Sequence, residues 1–139
     1  MSTNARIGLD KGGGQIRTIY CHWDGYISYT GRILEDNFRT EDEVEQLINM
    51  GDMSSIGEEI GQQVDFDKMC SDMKYSEEHK GQCVFYHRDR GEALEITEMS
   101  EDELAHCEEY NYLFKKGKWY VSCDQTDYHF VPIDEVEDD

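Results

Sequence analysis

Cys21, His22 and Asp24 place a thiol, an imidazole and a carboxylate around Trp23 in one short stretch. These groups can build a Cys/His nucleophile, in which the imidazole takes the thiol proton. That chemistry needs the two side chains to meet. Successive strand residues point to opposite faces, so a strand running through Cys21 and His22 keeps them apart. The expectation is therefore structural: Cys21 in the core, Trp23 and Tyr26 over the sheet edge, Asp24-Gly25 in a turn. A second constellation is His22, Asp24, His87 and Asp89, whose imidazoles and carboxylates suit several divalent ions. It would serve a small metal-dependent hydrolase or a nucleotide-modifying enzyme. No HExxH-type spacing backs it, and no catalytic residue, metal or cofactor is expected. His87-Arg88-Asp89 matches a kinase catalytic triplet, but the glycine loop, lysine strand and Asp-Phe-Gly element are missing.

The carboxylates are the stronger chemical signal. Glu41, Asp42, Glu43 and Glu45 crowd one expected helix start, and Glu58 and Glu59 follow. Glu101, Asp102 and Glu103 crowd a second, with Glu108 and Glu109 at its far end. The helix dipole favours acids in a first turn, which gives part of each cluster a structural reason. Glu108 and Glu109 sit at the wrong end for that benefit. Like charges at this density repel, and a basic partner relieves the repulsion. These carboxylates are the expected partner-binding residues. Arranged along one ridge, they can stand in for the phosphate rows of nucleic acid.

The elements that must position these groups follow from pattern. Arg6–Leu9 and Gln15–Cys21 read as strands joined by a glycine-rich hairpin loop, Asp10–Gly14. Ile27, Thr30, Leu34 and Phe38 recur on one helical face. Thr40 to Glu43 and Ser100 to Glu103 are capping boxes. The first opens a helix with Val44, Leu47 and Ile48 inside and Gly51 at its stop; the second opens one reaching about Glu109. Met53, Ile56, Ile60 and Val64 suggest a short helix, weakened by Gly57 and Gly61. Residues 71–82 read as a solvated loop. Cys83–Tyr86 and Ala93–Thr97 are strand candidates flanking a charged turn, His87–Gly91. Tyr110–Phe114 and Trp119–Cys123 form a hairpin, and Tyr128–Ile133 an edge strand in which Pro132 is tolerated. The acidic tail, Asp134 to Asp139, is expected to fray. The sum is a single α+β domain over 1–139: an antiparallel sheet with two or three helices packed mainly on one face.

Composition narrows the function. The 139 residues carry 32 acids and 13 bases, a net charge of -19. Residues 1–34 hold four bases against two acids, and residues 35–139 nine bases against 30 acids. That field repels nucleic acid and anionic membranes and attracts basic protein surfaces. Five cysteines without a CxxC point to reduced thiols and a cytoplasmic setting.

The block Ile19-Tyr20-Cys21-His22-Trp23-Asp24-Gly25-Tyr26, with Tyr29 and Gly31 beyond it, resembles a family of small bacteriophage and prophage proteins. They open with an Arg-Ile-Gly strand, carry an HWDGY-type turn and end with a hairpin like Tyr112-Leu113-Phe114 to Trp119-Tyr120-Val121. The resemblance covers the first half and the last hairpin. It implies a phage protein. Small acidic phage proteins in turn resemble inhibitors of host defence, including anti-CRISPR proteins and DNA mimics. The resulting expectation is an anti-CRISPR type inhibitor, not an enzyme, acting in the cytoplasm of an infected or lysogenic host. Its partner would be a basic, nucleic-acid-binding defence effector, bound stoichiometrically without direct contact to nucleic acid or membrane. The alternatives are the metal-dependent enzyme above and a phage regulator that binds a basic host protein.

Overall fold

The computed structural model describes residues 3–137. Two antiparallel hairpins form its centre. β1 (Ala5–Asp10) pairs with β2 (Ile16–Cys21), and β6 (Tyr110–Lys115) pairs with β7 (Lys118–Cys123) through a Lys116-Gly117 turn with both residues at positive φ. The hairpins join through β1 and β6, which run parallel with Ile7 opposite Tyr112. β3 (Met53–Ser55) also runs parallel to β2 and pairs antiparallel with β4 (Val84–Phe85). β5 (Thr97–Met99) adds to the same edge of β2, and the short β8 (Val131–Pro132) closes the far side. The fold is α+β, but the sheet is mixed where an antiparallel one was expected. Parallel neighbours need long crossovers, and the helical segment between β2 and β3 supplies one.

Strand alternation builds two cores. Ala5, Ile7, Leu9, Ile19, Cys21, Tyr112, Phe114, Trp119 and Val121 point to the first face. A single π turn (Ile27–Gly31) runs into α1 (Arg32–Asn37), and with α2 (Glu41–Ile48) it covers that face through Ile27, Leu34, Val44, Leu47 and Ile48. The second face buries a smaller cluster, Ile16, Met99, Leu104 and Leu113, under α6 (Glu101–Ala105). Gly8 makes this possible: a Cβ there would stand 2.9 Å from Leu104 Cδ2 and 2.7 Å from Ile16 Cγ2.

Several boundaries differ from expectation. Met53 opens a strand, not a helix. The expected loop at 71–82 holds the end of α3 (Phe66–Ser71) and all of α4 (Met73–Glu78). Asp65 and Asp72 cap these helices, accepting from the amides of Lys68 and Tyr75. Neither helix buries a residue, so neither carries an apolar period. The charged turn is one helical turn, α5 (Tyr86–Arg90), and the strand expected at Ala93 begins only at Thr97. α6 stops at Ala105 because the Ala105 carbonyl accepts from Asn111 Nδ2 at 3.2 Å and Ser122 Oγ at 2.7 Å. The edge strand shrinks to two residues. The tail does not fray from Asp134: Ile133–Glu135 forms a 3-10 turn, and Val136 packs on the core. Asp138 and Asp139 lie outside the described residues. Among the described residues no helix is long and apolar enough to cross a membrane.

Candidate functional site

The HWDGY segment is a chain reversal pinned on every side. The amides of His22 and Trp23 donate to the carbonyls of Met53 (3.2 Å) and Ser54 (3.0 Å), which prolongs the β2–β3 pairing. Asp24 then takes a left-handed conformation at φ 57°. The Gly25 amide donates to the Thr3 carbonyl at 2.8 Å, and its own carbonyl accepts the buried Tyr112 hydroxyl at 2.7 Å. A Cβ on Gly25 would meet Ala5 Cβ at 2.8 Å, so glycine is required. Thr30 closes the turn by donating to the Asp24 carbonyl at 2.7 Å.

This geometry separates Cys21 from His22. Cys21 is buried, and burial pushes its thiol up to about 12, which removes the thiolate a nucleophile needs. The His22 ring lies on the other face, where Nδ1 shares a 2.8 Å hydrogen bond with the Tyr20 hydroxyl. Its ring also meets Trp23 edge-on at 4.6 Å. Trp23 and Tyr29 remain 45% and 36% exposed. The Tyr29 hydroxyl donates to the Ile56 carbonyl at 2.8 Å, and Tyr26 donates to Asp24 Oδ1 at 3.3 Å. The half-buried Tyr26 ring lies 6.4 Å from the Tyr29 ring, Trp23 is exposed against His22, and Glu58-Glu59 follow Ile56 in the chain.

The His22, Asp24, His87 and Asp89 set does not assemble. Asp89 is buried and fully engaged: Oδ1 accepts from the Val64 amide (3.0 Å) and Arg88 Nε (2.9 Å), Oδ2 from the Phe85 amide (2.8 Å). Arg88 reaches on to the carbonyls of Ile60, Gly61 and Cys83. The pair is a clip that holds residues 60–64 to β4 and α5. His87 is exposed and bonds through Nδ1 with the Glu92 carbonyl. Among the described residues no three His, Cys, Asp or Glu side chains gather as a metal-holding group.

The carboxylate clusters separate as well. α2 packs on the first sheet face and α6 on the second, so their acidic starts do not form one ridge. Glu43 and Glu103 are used in the two capping boxes. Hydrogen bonds from the Arg39 amide and Thr40 hold the Glu43 carboxyl below its ordinary value. Glu45 pairs with Lys11 at 2.8 Å and Glu101 with Lys115 at 3.1 Å. Both lysines stand at hairpin ends, which the parallel β1–β6 pairing brings to the same end of the sheet. Among the described residues Glu41, Asp42, Glu58, Glu59, Asp102, Glu108 and Glu109 have no ion-pair partner.

One cluster escaped the sequence reading. On the uncovered part of the second face, Arg6 donates to Thr18 Oγ1 at 3.1 Å and lies 5.9 Å from the Tyr20 ring centre. Asp52 fills the gap between β3 and β5 by accepting the Tyr20 amide at 2.8 Å. Burial raises the Asp52 carboxyl above its ordinary value, opposed by that bond and by Arg6. Burial also raises Glu108, again with Arg6 opposing. The available signal was Arg6 itself, a charge alternating with buried Ala5 and Ile7. Comparison with protein-family models, curated proteins and solved structures gives no match.

Proposed function

We propose that this protein is a phage-encoded inhibitor of a bacterial defence complex, anti-CRISPR in type. In this reading it binds a basic, nucleic-acid-binding surface of that complex and blocks it stoichiometrically. One observation carries the reading: exposed Trp23 and Tyr29 stand at the HWDGY turn, Tyr29 bonds to the Ile56 carbonyl, and exposed Glu58 and Glu59 follow two and three residues on, without an ion-pair partner among the described residues, on a chain of net charge -19. Exposed Trp and Tyr supply anchors whose burial dominates interface energy, and carboxylates around them select a cationic partner. The remaining unpaired acids speed encounter through their long-range field. The separation of α2 from α6 supports a two-sided acidic surface in place of a single mimic of a phosphate row.

The test is competition. An RNA-guided effector is loaded with labelled DNA and titrated with the protein at rising salt. Displacement at one-to-one stoichiometry, weakening with salt, is the expected result. Trp23→Ala is expected to raise the half-displacing concentration about tenfold or more. Unchanged DNA binding across several such effectors overturns the proposal. If a basic host protein is captured instead, the phage-regulator reading replaces it.

A further inference from the structure

Trp23 is a large ring left exposed at the end of a tightly bonded strand. In a regular strand the side chains of neighbouring residues diverge to opposite faces. The chain departs from that pattern where β2 ends. The His22 and Trp23 amides both donate to β3, to the Met53 carbonyl at 3.2 Å and the Ser54 carbonyl at 3.0 Å. The departure lets two adjacent rings meet. The indole lies against the His22 imidazole, with centroids 4.6 Å apart and planes at 83°.

His22 is itself held. Its Nδ1 shares a 2.8 Å hydrogen bond with the hydroxyl of Tyr20, two residues earlier, and the two rings stand 5.9 Å apart. Tyr20 is fixed to the sheet on two sides. Its amide donates to Asp52 Oδ1 at 2.8 Å, and the Arg6 guanidinium lies 5.9 Å from its ring centre. A row of contacts therefore runs from the sheet through Tyr20 and His22 to the exposed indole. Tyr20 and His22 are half-buried, so water could reach their polar groups. The direct bond between them instead fixes the orientation of the imidazole against which the indole rests.

We infer that Tyr20 and His22 are positioning residues that hold the Trp23 indole ready for the partner. An exposed indole that rotates freely loses that freedom when a partner buries it, and the lost entropy weakens binding. A ring fixed beforehand loses less. The inference rests on Trp23 acting as an anchor of the proposed interface, and adds what keeps that anchor in place.

The test uses the full chain labelled with 5-fluorotryptophan. The sequence has two tryptophans, Trp23 and the buried Trp119, so two fluorine signals result, and Trp23→Phe assigns them. Tyr20→Phe removes the hydroxyl and keeps both the ring and the amide bond to Asp52. The Trp119 signal should therefore stay in place and report an intact fold. The Trp23 signal should shift, and its transverse relaxation should slow as the freed ring moves on the picosecond to nanosecond scale. His22→Phe keeps a ring beside Trp23 without the bond to Tyr20, and should give the same change. Displacement of DNA from an RNA-guided effector should weaken about fivefold in Tyr20→Phe. In a Trp23→Ala background the same substitution should cost nothing further. An unchanged Trp23 signal, undiminished displacement by Tyr20→Phe, or an equal loss with and without Trp23 overturns the inference. The fluorine response in a protein that displaces no DNA sinks the proposed function and leaves the positioning standing; displacement with a silent Trp23 signal does the reverse.

Discussion

The two-hairpin sheet and the segment from Ile56 to Gln82 are held together in different ways. The sheet is packed on both faces by alternating apolar side chains, with Tyr112, Phe114, Ile7 and Leu9 almost wholly buried. The segment contributes Ile56 and Val64 to the interior, yet α3 and α4 bury nothing, and Met73 is 83% exposed. Polar fasteners replace packing there: the Arg88–Asp89 clip, the Asp65 and Asp72 caps, and Arg90 over the Phe66 ring at 4.9 Å. Apolar packing is distributed over many contacts. A clip concentrates stability in a few groups, so one substitution can release the segment while the sheet survives.

The largest effect is expected at the centre of the sheet. Tyr112→Ala removes a fully buried ring and the bond to Gly25, and should cost about 4 kcal/mol in chemical denaturation. It should also loosen the HWDGY turn. A loss under about 1 kcal/mol would mean that the sheet is no more densely packed than the segment.

Asp89→Ala should cost about 3 kcal/mol, because Arg88 is left partly buried without its partner and two amides lose their acceptor. The contrast is sharpened by where the loss appears. Hydrogen exchange should accelerate at Val64 and Phe85 while Ile7 and Tyr112 stay protected. Uniform acceleration would show that clip and sheet unfold as one unit.

Asp52 stands at the β2 edge of the sheet, where its carboxylate accepts the Tyr20 amide. Its carboxyl is raised by burial, so the folded protein binds a proton more readily than the unfolded chain. Between the unfolded value near 4 and the raised folded value, stability should therefore fall as pH rises. Asp52→Asn keeps an acceptor for the Tyr20 amide and should flatten that slope. An unchanged pH profile of the denaturation midpoint would remove Asp52 from the account.

The smallest effect is expected on α4. Met73→Ser should leave stability within about 0.5 kcal/mol of the parent, since the side chain touches little. A larger loss would show that the segment packs more tightly than its exposure indicates.

Local rules made part of this molecule legible in the sequence. Both hairpins, both capping boxes and the buried stripe Ile27, Thr30, Leu34 and Phe38 follow from spacing alone, because alternation and caps are properties of neighbouring residues. The HWDGY turn was legible as a turn, and Cys21 as core. α3 and α4 were not, since helices without a buried face leave no apolar period. Asp89 read as a possible ligand and is a structural acceptor, because its partners Val64 and Phe85 come from separate segments. The approach of Arg6 to Asp52 and Glu108 went unread for the same reason. Only the tertiary structure decided that β1 and β6 run side by side in parallel, and that α2 and α6 fall on opposite faces. Charge along a chain records how many carboxylates there are; which face of the sheet each one occupies depends on the crossovers between strands distant in sequence.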